Sequence, residues 1–244
     1  MNTHSKNTHS KQSRSSQRII GLTGGIGMGK STVSNYLATV HQIPILDADI
    51  LAREAVAPNT SVFHCIVERY GSGILLADGT LNRQRLSEIV FNSVVERLWL
   101  EQQIHPYVRD RIEQAIHTPP LHDTESCPTV VLVIPLLFEA RMTDLVTETW
   151  VVQCDQNTQM ERLMGRDGLS EEQAKVRINS QMAIQKKIAY ADVVLNNCST
   201  KENLLQQVDA ALNYQSNPAK ASTNEQKRTV DEGEKAKGKR EMTT

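Results

Sequence analysis

Gly24-Gly25-Ile26-Gly27-Met28-Gly29-Lys30-Ser31 carries the spacing G-x-x-x-x-G-K-[ST] at every fixed position. These residue types suit the holding of a polyphosphate. Glycines let the backbone turn tightly and approach an anion, and the freed N–H groups point inward. A helix N-terminus behind the loop adds a favourable partial positive charge. In this pattern Lys30 reaches the β- and γ-phosphates and the Ser31 hydroxyl takes Mg²⁺. The alternative is a glycine-rich turn of no chemical consequence. The dinucleotide fingerprint G-x-G-x-x-G is not present here.

A second group of candidates follows. Ile43-Pro44-Ile45-Leu46-Asp47 reads as a strand that delivers Asp47-Ala48-Asp49 to its carboxyl end, and Arg53 lies in the helical run behind. Ligands of open α/β sheets sit at those strand ends. Two carboxylates at the end of the neighbouring strand suit metal binding or the activation of a hydroxyl nucleophile. An Asp there can instead cap the next helix. For Asp47 both roles stay open; for Asp49 the chemical role is favoured.

The elements that position these residues can be read along the chain. Arg18 to Thr23 reads as a short buried strand and Ser31 to Val40 as a helix, so the loop has the strand–loop–helix setting its chemistry needs. Residues 59–117 read as mostly helical, with a turn at Ala77-Asp78-Gly79-Thr80. Ile104, Val108, Ile112 and Ile116 recur every four residues and predict one apolar helix face. Pro106 lacks an N–H, so it should end one helix or open the next, with His105 at the junction. A lone His there is more often structural than functional.

Thr118 to Pro128 reads as a loop. Thr129 to Ile134 is a continuous apolar run and predicts a strand buried on both faces. It ends in Pro135-Leu136-Leu137-Phe138-Glu139, so no Asp closes it, and the usual acidic partner of Mg²⁺ is missing there. That role passes to Asp47, to Asp49 or to water. Glu148 to Asp155 predicts a further strand. Residues 156–190 collect Arg162, Arg166, Lys175, Arg177, Lys186 and Lys187, either as exposed helices or as a lid whose arginines close over a triphosphate. Ser170 with Gln173, and Ser199 with Glu202, have capping-box spacing. Asp192 to Asn197 predicts a last strand. Strands alternating with helices argue for a parallel sheet covered on both faces.

Composition bounds the rest. The chain has 244 residues, a net charge of −1 and 39% hydrophobic residues, somewhat low because polar ends dilute the core. Residues 1–17 and 213–244 read as disordered polar tails. Their bases flank an acidic body, which usually means solvation and makes nucleic acid an unlikely partner. Cys65, Cys127, Cys154 and Cys198 have no C-x-x-C spacing and no accompanying His cluster, so neither a zinc site nor a disulfide frame is expected. With no apolar run near a membrane span and no apolar leader, a cytoplasmic protein is expected.

The ordered set of motifs resembles the dephospho-CoA kinase family over residues 18–212. The resemblance is carried by Gly21-Leu22-Thr23-Gly24-Gly25-Ile26-Gly27 with Gly29-Lys30-Ser31-Thr32, by Asp47-Ala48-Asp49 with Ala52-Arg53, and by Ala77-Asp78-Gly79-Thr80-Leu81. His105-Pro106, Pro135-Leu136-Leu137-Phe138-Glu139, Arg166-Asp167, Gln181-Met182 and Ala191-Asp192-Val193-Val194 with Asn196-Asn197 complete it. It implies an α/β fold of the phosphate-loop NTPase type in three layers, with core segments 18–58, 118–165 and 191–212. A helical CoA-binding insertion at 59–117 and a helical lid at 166–190 would be added to that core. It implies transfer of the ATP γ-phosphoryl to the ribose 3′-hydroxyl of dephospho-CoA, with Mg²⁺. Asp49 would be the base, Lys30 and the backbone of Gly24 to Thr32 the phosphate site, and Arg166 the lid arginine. Asp47, Arg53 and His105 would lie near the acceptor. Met28 departs from the small residue common at its position, with little effect expected because that position supplies its N–H. The tails have no counterpart in the family's basic pattern. Another small-molecule kinase of this architecture, acting on a nucleoside or nucleotide, is the alternative. A nucleotide-dependent switch is weakened by the absence of an N-K-x-D sequence.

Overall fold

Strand β1 (Arg18–Gly24) is apolar enough to be buried along most of its length, and it lies in the middle of the sheet. The computed structural model describes residues 17–118 and 129–213. Within them, β2 (Ile45–Asp47), β3 (Thr129–Val133), β4 (Glu148–Gln153) and β5 (Val193–Asn196) join β1 in a five-stranded sheet of order β2-β3-β1-β4-β5. Every pairing is parallel. All five carboxyl ends therefore open on one edge, and the loop after β1 emerges at its centre.

One expectation is corrected by this order. Asp47 does not end a strand adjacent to β1. β3 lies between, pairing Leu22 with Val133 on one side and Asp47 with Val133 on the other. The sequence gives strand succession but not lateral order, and the chain leaves a gap beside β1 that a later strand fills. The predicted buried strand at Thr129 is thus the one that separates the phosphate loop from the carboxylates.

Residues alternate across the pleat of β3. Val130, Leu132 and Ile134 join a core with Ala48 and Leu51 of α2 (Ala48–Ala55) and Val108, Ile112 and Ile116 of α5 (Val94–Ile116). Helix α1 (Lys30–Thr39) packs against β1 and β3 as well. A second cluster forms within the insertion. Val62, Phe63 and Ile66 of α3 (Ser61–Tyr70) meet Leu86 of α4 (Arg83–Asn92) and, from α5, Trp99, Leu100 and Tyr107. The predicted helical insertion therefore has a core of its own, and α5 is shared by both clusters through Ile104.

Asp47, Thr60, Asn82 and Ser93 cap α2, α3, α4 and α5 through side-chain oxygens that accept first-turn N–H groups. Asp155 does the same for α6 (Gln156–Asp167), and Ser170 with Gln173 forms the predicted capping box of α7 (Glu171–Asn179). Helix α8 (Ile184–Ala189) follows. The box predicted at Ser199 is displaced by one residue. Thr200 Oγ1 accepts the Asn203 N–H, and α9 (Lys201–Asn213) starts after it. Two adjacent hydroxyl residues both fit the sequence signal, and only the backbone path chooses between them. The described residues up to 205 form one compact unit; of the unit from 206 onward, residues 206–213 are described and are helical. The predicted loop at 118–128 and both tails lie outside the described residues, apart from Thr118, Gln17 and Asn213, the last of which belongs to α9. No described helix is long and apolar enough to cross a membrane.

Pro106 corrects a second expectation. It neither ends nor opens a helix but sits inside α5, so His105 lies in mid-helix rather than at a junction. Proline takes away one intrahelical N–H and leaves the carbonyl of Gln102 without it. Gln102 and Pro106 are both exposed, so the defect falls on the solvent side while Val108 and Ile112 hold the other face in the core. Pro106→Ala should restore that bond and stabilise the chain by about 1–3 kcal/mol in urea unfolding. A loss of stability would contradict this account of α5.

Candidate active site

The phosphate loop takes its shape from backbone that only glycine adopts easily. Gly24 has φ 147° and Gly29 has φ 101°. A Cβ on Gly24 would collide with the Val152 carbonyl of β4, and one on Gly29 with the Asn197 side-chain amide. Gly29 also opens α1 without supplying any side-chain cap, so protein side chains leave the first turn of that helix available to an anion.

Three side chains that the sequence did not single out for a role hold the loop from outside. Gln159 of α6 donates to the Ile26 carbonyl at 2.8 Å, and Gln181, between α7 and α8, accepts the Ile26 N–H at 2.8 Å. Asn197, just past β5, donates to the Met28 carbonyl at 2.9 Å. Gln181 and Asn197 stood inside motifs that carry the family resemblance, but their types gave no hint of the target. Gln159 carried no signal at all, since a buried amide is indistinguishable in sequence from an exposed one. Met28 also departs from expectation. Its N–H is turned to the Gly25 carbonyl at 3.3 Å, and its side chain, only 2% exposed, packs under the loop.

Lys30 folds back over the loop and donates to the carbonyls of Gly24 and Gly25, both at 3.0 Å. Its pKa is lowered to about 8, first by burial and then by the positive charge of Lys187; Asp49 opposes the shift, while Arg166 adds to it. An anion at the loop would oppose both influences by giving the ammonium a counter-charge.

Asp47 and Asp49 lie where β2 becomes α2. Asp47 accepts the Asp49 N–H at 2.8 Å and so caps the helix, which settles its backbone role. Asp49 is in the first turn of α2, with its residue surface exposed toward solvent. Its carboxyl is nevertheless held above the usual carboxylate range, first by displacement of water around it and then by the Asp47 charge; Lys30 and Arg53 pull the other way. Arg53 is one helical turn beyond Asp49, and its carbonyl accepts from Arg83 of α4 at 3.1 Å. The fold thus brings Lys30, Asp47, Asp49 and Arg53 into one electrostatic neighbourhood. His105 is on α5, which packs on α2, but among the described residues it makes no hydrogen bond to either carboxylate or to Arg53. Arg166 ends α6 and is engaged with Asp167, which also receives Arg177 at 2.9 Å.

A central phosphate loop, a partly buried lysine on it and a carboxylate pair two strands away define a phosphate-loop kinase. Residues 18–203 match the family described as Dephospho-CoA kinase, and the chain belongs to that family. A protein of Trichormus variabilis named dephospho-CoA kinase is 56% identical over 82% of this chain and 98% of its own length. A Synechocystis protein of the same name is 50% identical over 81% of this chain and 96% of its own. Among solved structures, a Thermus thermophilus protein matches with a TM-score of 0.67 at 31% identity, covering 83% of this chain and all of the other. The dephospho-CoA kinase from Campylobacter jejuni matches with a TM-score of 0.59 at 27% identity, covering 80% of this chain and 94% of the other.

Gly29→Ala should abolish nucleotide binding while leaving the protein folded. The new methyl meets the Asn197 amide and the positive φ disfavours any Cβ. Calorimetric titration with an ATP analogue checks it, and wild-type affinity in that variant would contradict the loop geometry.

Proposed function

We propose that the chain transfers the γ-phosphoryl group of ATP to the 3′-hydroxyl of the ribose of dephospho-CoA, releasing ADP and coenzyme A. The observation that carries this reading is the sheet edge on which the phosphate loop after β1, with Lys30, and Asp49 after β2 both emerge. It places a phosphate-binding ammonium and a candidate base within one site, as transfer to a hydroxyl requires. Membership of the dephospho-CoA kinase family over residues 18–203 supports the choice of acceptor.

Each residue has one task in this reading. The N–H groups of the loop from Gly24 to Thr32 that are not taken up within the protein, as those of Ile26 and Met28 are, bind the β- and γ-phosphates together with the Lys30 ammonium. Asp49 orients the 3′-hydroxyl and takes its proton as the new O–P bond forms. The bond from the γ-phosphorus to the bridging oxygen breaks, and its electron pair leaves with ADP. Asp47 holds Asp49 by capping α2. Arg53, one turn beyond Asp49, would meet the acceptor, and so would His105 from α5, the helix that packs on α2. Arg166 contributes positive charge on the donor side, where its influence already reaches Lys30. Charge neutralisation and exclusion of water, rather than covalent help, supply the rate.

Mg²⁺ belongs to this reading, and the donor set fits a hard cation carried in by its substrate. No group of three His, Cys, Asp or Glu side chains among the described residues could cage a metal. Mg²⁺ commonly uses few protein oxygens and completes its shell with phosphates and water. The Ser31 hydroxyl, in the first turn of α1, would hold it. When bound, it neutralises charge on the transferring phosphates. The activity is assigned to the cytoplasm, where Cys65, Cys154 and Cys198 stay free thiols.

Two variants test these roles. Asp49→Asn should leave ATP affinity nearly intact and cut dephospho-CoA-dependent ADP release by about 10²-fold or more, the range for loss of a positioned base. Turnover at the wild-type rate would sink the assignment. Asp47→Asn keeps a capping oxygen but removes a negative charge that raises the Asp49 pKa. Ionised Asp49 then persists to lower pH, so the acid limb of the kcat/KM profile should move to lower pH. A limb that stays in place or moves upward would show that Asp49 is not the group being titrated.

A further inference from the structure

Lys187 of α8 is fully buried, although it stands in a stretch whose other bases are exposed. An ammonium withdrawn from water costs several kcal/mol unless it is paired and hydrogen-bonded. Here Nζ donates to the Pro135 carbonyl at 2.9 Å and lies 2.9 Å from Glu139 Oε1. Pro135 is the residue after Ile134, the place where no Asp closes the strand run. A buried cation thus stands at the carboxyl end of β3, beside the centre of the sheet.

The partners of this pair lead back to the phosphate loop from both directions. The Pro135 carbonyl also accepts from Thr23 Oγ1 at 3.1 Å, and Thr23 directly precedes Gly24. Glu139 Oε1 also accepts the Met182 N–H at 2.9 Å. Met182 follows Gln181, whose side chain takes the Ile26 N–H. The bonds form a ring: Thr23, Pro135, Lys187, Glu139, Met182, Gln181, Ile26. It leaves the chain just before the loop and returns to it inside the loop. Glu139 Oε2 is buried with no hydrogen-bond partner among the described residues, so the ring is held by the one oxygen that faces both Lys187 and Met182.

A buried ion pair is a poor source of stability, because apolar residues of similar volume often do as well or better. What such a pair supplies here is fixed geometry. We propose that Lys187 and Glu139 are positioning residues for the phosphoryl donor. They fasten the segment from Gln181 to Ala189 to the end of β3 and so hold the loop backbone around Ile26 in the shape that receives phosphate. This rests on the kinase reading above and extends it to residues that touch neither substrate. The ring's hydrogen bonds run to the donor loop and to neither Asp47 nor Asp49, so its loss weakens ATP and spares the acceptor.

The double variant Lys187→Met/Glu139→Gln tests this, since it removes both charges and leaves neither buried alone. It should still melt cooperatively within about 5 °C of the wild type, since paired charges add little net stability. The Kd for a non-hydrolysable ATP analogue, read by calorimetry, and the KM for ATP should both rise about tenfold, with the KM for dephospho-CoA within about twofold of the wild type. Wild-type Kd and KM for ATP, or an equal rise in both KM values, would overturn the proposal. Should the double variant fail to fold, Gln181→Met decides: it removes only the acceptor of the Ile26 N–H and should give the same rise on the ATP side alone, and unchanged ATP constants would overturn the proposal. Wild-type enzyme that binds the analogue but does not turn over dephospho-CoA would instead count against the kinase reading, and the analogue titrations would still decide the ring.

Discussion

The constraint on which this structure depends is that a loop built to present bare N–H groups cannot hold its own shape. Residues 24–29 carry positive φ at Gly24, Gly27 and Gly29, and glycine has the most conformational freedom to lose. The loop's own carbonyls and N–H groups need partners that leave the concave side clear. Those partners come from distant parts of the chain: Gln159, Gln181 and Asn197 from without, and Lys30 folded over the carbonyls of Gly24 and Gly25. The elements after β4 therefore do more than cover the sheet. They supply the walls of the cavity that β1 and α1 open.

The strand order gives the site its division of labour. With β1 in the centre and β2 beyond β3, donor loop and carboxylates face each other across one intervening strand end. That end is Pro135, whose carbonyl is taken by Thr23 and Lys187. Positive charge gathers on the loop side, in Lys30, Lys187 and Arg166, while the negative charge of Asp47 and Asp49 lies at the start of α2. Burial and like charge within each set displace Lys30 and Asp49 in opposite senses, and the charges across the site oppose both shifts. Lys30 is pushed toward losing its proton by burial and by Lys187, and Asp49 is pushed toward keeping one by lost water and by Asp47. Such pairs of displaced groups mark sites where charge is meant to change.

Much of this was legible in the sequence, where local rules decide the outcome. The loop, the strand ahead of it, the helical insertion, the i, i+4 face of Val108, Ile112 and Ile116, and the Ser170 capping box all follow from spacing and residue type, and each appears as expected. What escaped depends on the third dimension. Lateral strand order is not encoded in succession, so β3 separating β2 from β1 could not be read. Pro106 broke a rule whose cost falls on an exposed face, and exposure is unknowable before packing. Thr200 displaced Ser199 because two neighbouring hydroxyls carry the same signal. Gln159, Asn197 and Lys187 are ordinary polar letters in polar stretches, and only the fold shows them buried. Lys187 is the clearest case, since it stands among exposed bases and either reading of that stretch, exposed helices or lid, groups it with them.

The assignment of donor loop, base and acceptor is tested most directly by the site of the transferred phosphate. Wild-type protein is incubated with Mg²⁺, ATP and dephospho-CoA, ADP release is followed, and the product is examined by phosphorus NMR. ADP should appear only when dephospho-CoA is present, in equal amount to a product carrying its new phosphate on the ribose 3′-oxygen. ADP release of the same rate with ATP alone, or a phosphate placed on any other oxygen, would contradict the account.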